Sequence, residues 1–153
     1  MMTIDSFNRL TGQETLHPLV GIADLSEDRL DSDVEKPCNF YALLCSGRRL
    51  RLVTPGEKFR IPARCHCRDH GYTGVLFHPD LLCDTTLEDS IEAYTCRSEC
   101  ERALYPAAMK EIDDCIRLIA RELDHSIDRH TGTIIASQIG LLQNCCTRIC
   151  RNN

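Results

Sequence analysis

The residues with the clearest chemical capacity form a short cluster of sulfur and imidazole side chains near the middle of the chain. Cys65, Cys67 and His70 lie close together there, with His66 between the two cysteines. Thiolates and imidazoles are the ligands that zinc and other soft metals prefer. One hypothesis is therefore a thiol-rich metal-sensing or redox-sensing protein, in which Cys96 or Cys100 completes the ligand set.

The spacing of this cluster argues against a metal site. Structural zinc sites commonly separate paired ligands by two to four residues and take a second pair from elsewhere in the chain. In an extended strand Cys65 and Cys67 would share one face, while His66 would point to the other. We therefore favour an exposed strand end or loop at this place and predict no cofactor, with zinc or another soft metal as the alternative.

The cysteine content of the chain is high, with 11 cysteines among 153 residues. A chain of this length can bury a core of its own, and its first residues lack the apolar segment of an export signal. We therefore expect reduced thiols rather than a disulfide framework. Cys115, Cys145 and Cys146 fit the apolar positions of predicted helices, which indicates a packing role.

Charge and hydropathy exclude two further classes of protein. The net charge of −5 disfavours direct contact with nucleic acid, because phosphate binding needs a positive surface. No stretch approaches the roughly 18 consecutive apolar residues that span a bilayer. We expect a single domain over residues 1–153 that is soluble and cytoplasmic and does not contact membranes.

Residues 1–80 show the short apolar runs and turns of β-structure. A strand is expected within Leu16–Leu25, and the run Phe40–Cys45 suits a strand with both faces covered. Apolar and cationic residues alternate on both sides of the turn at Pro55 and Gly56, which predicts a hairpin. A last strand is expected at Gly74–His78.

The periodicity becomes helical after residue 80. Residues 81–105 are predicted to form a short helix and an irregular connection, and residues 106–153 a two-helix hairpin whose first helix begins at Pro106. The second helix is predicted from Thr133 to Cys150, and its apolar surface is wider than one antiparallel neighbour would cover. The fold class predicted is α+β. The apolar positions of the first helix are Ile112, Cys115, Ile116, Ile119 and Leu123.

Several segments in this order resemble the N-terminal domain of AraC-type bacterial transcriptional regulators. The most specific is Leu76-Phe-His-Pro-Asp-Leu-Leu82, where the last strand meets the first helical turn. The resemblance extends over nearly the whole chain. The other segments are Glu14-Thr-Leu-His-Pro-Leu-Val20, Phe40-Tyr-Ala-Leu-Leu44, Val53-Thr-Pro-Gly-Glu57, Ser126-Ile-Asp-Arg-His130 and Gln138-Ile-Gly-Leu-Leu-Gln-Asn-Cys145.

The resemblance implies a cupin-like β-barrel that senses a small-molecule effector, followed by an antiparallel helical hairpin that forms a homodimer. About eight residues separate Leu44 from Val53, which is short for the family and implies a shortened barrel. No helix-turn-helix candidate follows, so an alternative is a truncated decoy that heterodimerises with an intact regulator. The side chains expected at the dimer interface are Ile135, Ile139, Leu142, Cys146 and Ile149.

The sequence gives little indication of an enzyme. It contains no Gly-x-Ser-x-Gly motif, no phosphate-binding loop and no paired carboxylate signature. His17 and His78 each precede a proline, at the start or the end of a predicted strand, where a histidine can act as a switch or contact a ligand. We expect both to play a structural role by donating a hydrogen bond to a nearby carbonyl, and we expect no catalytic residues.

Overall fold

The computed structural model describes residues 1–25, 33–46, 49–62, 72–83, 85 and 105–152. Within them, one short helix precedes six strands, and a 3-10 helix leads on to two long helices. The elements are α1 (Ile4–Leu10), β1 (Val20–Asp24), β2 (Val34–Pro37), β3 (Tyr41–Ser46), β4 (Arg49–Val53), β5 (Lys58–Ile61), β6 (Thr73–Phe77), the 3-10 helix (Pro79–Leu82), α2 (Pro106–Asp124) and α3 (Thr131–Asn152).

The strands form two antiparallel sheets. The larger sheet has the order β1-β6-β3-β4, and the smaller sheet pairs β2 with β5. In the centre of the larger sheet, Leu43 of β3 is level with Leu52 of β4 on one side and with Val75 of β6 on the other. This register places all three side chains on the same face of the sheet, because side chains alternate along a strand.

The larger sheet is covered on both faces. Leu43 and Val75 belong to a helix-side core, which the sheet shares with α2 and α3. Leu44 and Leu76, the next residue along each strand, belong to a sheet-side core that includes β5 and α1. The prediction that Phe40–Cys45 is covered on both faces is therefore confirmed.

The predicted hairpin around Pro55 and Gly56 is wrong in its pairing. The turn is present, with Gly56 at φ 94°, and the strands on either side alternate as expected. However, β4 pairs with β3, whereas β5 pairs with β2 in the other sheet. Phe59 explains the crossing, since its ring packs edge-on against Phe7 and Phe40 in the sheet-side core.

The α+β class is confirmed, but the described strands do not close into a barrel. They form a four-stranded and a two-stranded sheet that face each other across the sheet-side core. The chain passes between the sheets near Cys38, whose backbone N–H donates to Glu57 O and whose carbonyl accepts from Gly56 N. The crossing from β2 to β3 and the crossing from β4 to β5 are therefore tied together at one corner.

The predictions for the two long helices agree closely with the structure, whereas most of the connection predicted over residues 81–105 lies outside the described residues. Helix α2 begins at Pro106, and all five of its predicted apolar residues are buried. Helix α1 was not predicted, although Thr3 and Ser6 form a capping box that holds its first turn. Among the described helices, none combines the length and apolar character that crossing a membrane requires.

Candidate functional site

A groove of about 710 Å³ runs along the outer side of α3. Its other wall is formed by the 3-10 helix and by the segment that contains His17 and Leu19. This volume falls within the range of small-molecule sites in proteins. The groove is therefore the candidate binding site.

Small residues of α3 make room for the groove. Gly132, Ala136 and Gly140 follow one another at intervals of four and line its floor, so that their side chains lie on one side of the helix. Ser137 lies beside them, and its hydroxyl donates to the carbonyl of Thr133 at 3.1 Å. That hydroxyl keeps its lone pairs for a ligand that carries a hydrogen-bond donor.

The start of α3 is fixed by the loop before it. The Asp128 carboxylate accepts a hydrogen bond from the backbone N–H of His130 at 2.7 Å. The Thr131 hydroxyl in turn accepts from the backbone N–H of Asp128 at 3.0 Å. This connection positions Arg129 at the groove, where it contributes a positive charge.

His17 forms part of the opposite wall and is 9% exposed. Its Nδ1 accepts a hydrogen bond from the backbone N–H of Leu19 at 3.0 Å. Burial lowers the pKa of the imidazole, because the charged form loses hydration. The neutral ring therefore carries its proton on Nε2, as a hydrogen-bond donor.

The 3-10 helix is held by a cap at its start and by two buried leucines. His78 caps its start, with Nδ1 accepting from the backbone N–H of Asp80 at 3.1 Å. Leu81 and Leu82 are buried in the helix-side core, whereas the Asp80 side chain is 70% exposed and lines the groove. His17 and His78 thus have structural roles, but each accepts from the backbone instead of donating to it.

The five residues expected at a dimer interface lie elsewhere. They pack in the helix-side core against α2 and the larger sheet, and four of them are completely buried. The chain's own core covers these side chains, and their place at a dimer interface stays a prediction. Their exposed fractions are 0% for Ile135, 0% for Ile139, 0% for Leu142, 0% for Cys146 and 8% for Ile149.

The exposed apolar residues of α3 are Ile134 and Leu141, which are 40% and 50% exposed. They are seven residues apart, so they lie on the same side of the helix. Leu141 also lines the groove, whereas Ile134 lies outside its lining. The outer face of α3, defined by Ile134 and Leu141, is therefore continuous with the groove.

The metal hypothesis falls largely on residues whose placement is not described. Cys65, Cys67, His70, Cys96 and Cys100 all lie outside the described ranges, and their role stays a prediction. Within the described ranges, no three His, Cys, Asp or Glu side chains are grouped so that they could hold a metal ion.

The groove was not predicted from the sequence. Its signal was the regular spacing of Gly132, Ala136 and Gly140 in a helix that also carries many isoleucines and leucines. Small residues at such spacing also occur where helices pack closely, so the pattern alone does not indicate a cavity. No protein-family model matches the sequence. A search of curated proteins likewise finds no match.

Proposed function

We propose that the chain is a sensing and dimerisation module of the kind found in AraC-type transcriptional regulators, which binds a small-molecule effector. The observation that carries this proposal is the double role of α3. One helix supplies the wall of the groove and also presents an exposed apolar face. A ligand in the groove would therefore contact the same helix that a second copy of the chain would pair with.

The cupin-like relationship is part of the proposal. Its support is an antiparallel sheet packed against a second, smaller sheet and followed by an antiparallel pair of helices. This order of elements is what the resemblance implies. The shorter connection between β3 and β4 accounts for the open arrangement, since it leaves no room for a further hairpin.

The groove favours a ligand with an apolar body and a few polar groups. Leu19, Leu81 and Leu141 supply apolar surface, while Asp80 and Arg129 supply one charge of each sign. A ligand of strong single charge would meet both an attractive and a repulsive side chain. We therefore propose an effector that is neutral or carries both charges.

The mechanism is thermodynamic linkage between the two surfaces of α3. An effector shifts the dimer equilibrium only by the difference between its affinities for the single chain and for the pair. The coupling is reciprocal, so dimer formation changes effector affinity by the same factor. The groove and the outer face can be coupled through movement of α3 as a unit.

An anilinonaphthalene sulfonate dye tests the groove, because it fluoresces when bound to apolar surface. We expect about one dye to bind per folded chain, and we expect Ser137→Trp to weaken binding at least tenfold by filling the groove. Arg117→Trp, on the exposed side of α2, is the matched control and should leave binding unchanged. Equal binding to both variants would reject the groove as the site.

A further inference from the structure

Two thiols meet where the long helices pack together. Cys115 of α2 and Cys145 of α3 share the helix-side core next to the Glu111–Arg148 ion pair, each affects the pKa of the other, and neither belongs to a disulfide. They are 7% and 8% exposed, so both lie just beneath the surface. They were expected to be core residues, and they do belong to the helix-side core.

Polar partners surround this pair at the edge of the helix interface. Glu111 lies one turn before Cys115 on α2, and its carboxylate helps to raise the pKa of Cys145. Its carboxylate forms an ion pair with Arg148 of α3. The Glu111 side chain is 37% exposed and that of Arg148 is 63% exposed, so solvent reaches the rim of the pair. An oxidant would reach the two thiols from this edge of the helix interface.

We propose that Cys115 and Cys145 form a reversible dithiol–disulfide pair that locks α2 to α3, with a low-molecular-weight disulfide as the oxidant. One protein thiolate attacks a sulfur of the oxidant, forms a mixed disulfide and releases the first small thiolate. The second protein thiolate attacks the protein sulfur of that mixed disulfide and releases the second. The protons of the two protein thiols pass to the two small thiolates. Reactants and products therefore each contain one disulfide and two thiols.

The surroundings of the two cysteines determine how fast they are oxidised and how readily the disulfide is reduced. Burial, with the Glu111 carboxylate nearby, raises the pKa of Cys145 to about 12, and burial also raises the pKa of Cys115. Only the thiolate attacks a disulfide, so oxidation is slow at neutral pH and becomes about tenfold faster with each unit of rising pH. Among the described residues, no cation is among the groups that shift the pKa of either thiol, so the disulfide, once formed, should resist reduction.

The lock acts on the helix that carries the groove. The disulfide would close a loop that contains the connection between α2 and α3, including Arg129 and the capped start of α3. A crosslink of this kind removes conformations from the unfolded chain. The oxidised protein should therefore melt at a higher temperature than the reduced protein. This device is independent of the proposed effector.

The test uses the full chain, purified under reducing conditions and treated with oxidised glutathione at mildly alkaline pH. After alkylation of the remaining thiols and proteolysis, mass spectrometry should find a peptide pair joined through Cys115 and Cys145. The melting temperature should rise by several degrees, and a reductant should reverse the rise. Cys83→Ser, which removes an exposed cysteine outside the pair, should show the same link and the same rise.

Cys115→Ser and Cys145→Ser should each abolish the rise in melting temperature. If either variant fails to fold, the peptide map of the unaltered protein decides alone, since it requires no substitution. The proposal would be overturned if Cys115 and Cys145 are still alkylated as free thiols in a sample in which Cys83 has already reacted with oxidised glutathione. A map in which either residue is joined to any other sulfur would overturn it as well.

Discussion

Ile134 and Ile135 are consecutive residues of α3, yet Ile135 is completely buried and Ile134 is 40% exposed. Ile135 packs in the helix-side core, while Ile134 points away from it. The boundary between core and surface therefore runs between these two side chains. Residues on the Ile135 side determine the stability of the chain, and residues on the Ile134 side are available to partners.

Leu142 and Leu141 provide a second adjacent pair that tests this boundary. Leu142 is completely buried, so Leu142→Ala should lower the free energy of unfolding by about 2 to 5 kcal/mol, measured by urea denaturation. Leu141→Ala is the matched control. Because Leu141 is 50% exposed, Leu141→Ala should lower the free energy of unfolding by less than about 1 kcal/mol. Equal losses for the two variants would contradict the assigned orientation of α3.

Gly74 allows the central strands of the larger sheet to approach. A Cβ at this position would lie 2.0 Å from the backbone oxygen of Leu43, which cannot rotate away as a side chain can. Gly74→Ala should therefore destabilise the fold by about 2 kcal/mol or more, as overpacking does. Gly132→Ala meets nothing within 4 Å and should change stability by no more than about 0.5 kcal/mol. A fully stable Gly74→Ala protein would contradict the β3–β6 register.

His17 should make stability depend on pH. Burial lowers the pKa of the folded imidazole, so the unfolded chain binds a proton more readily than the folded chain. The stability that the neutral His17 ring contributes is fully present above about pH 6.5. It is lost as the pH falls from there toward the lower pKa of the folded state. His17→Asn keeps an acceptor for Leu19 N–H and does not titrate, so its unfolding free energy should fall less over that range. Parallel pH profiles for the two proteins would refute this role.

Local patterns predicted the secondary structure well because the physical cause was also local. Proline at the first turn and apolar residues at intervals of three and four were sufficient to identify α2. The alternation of Leu50 and Leu52 with arginines likewise identified β4. Helix α1 was missed because its signal is only a capping box and two buried apolar residues, Ile4 and Phe7.

Pairing between distant segments was harder to predict. After the turn that follows β4, the chain could pair with β4 or cross to the other sheet. The choice depends on the aromatic partners of Phe59, and Phe7 and Phe40 are far away in sequence. The choice of dimer residues depends on distant packing in the same way. The wide apolar surface of α3 was correctly recognised, but periodicity does not tell which part of it the larger sheet covers.

The most direct test of the central claim, that the outer face of α3 joins two copies of the chain, is sedimentation equilibrium of the unaltered protein and two matched variants. Ile134→Glu and Leu118→Glu each place a carboxylate at an apolar residue, 40% exposed on α3 and 39% exposed on α2. We predict twice the chain mass of 17.4 kDa for the unaltered protein and for Leu118→Glu, and the single-chain mass for Ile134→Glu. A single-chain mass for the unaltered protein, or a dimer that Ile134→Glu leaves intact, would contradict the account.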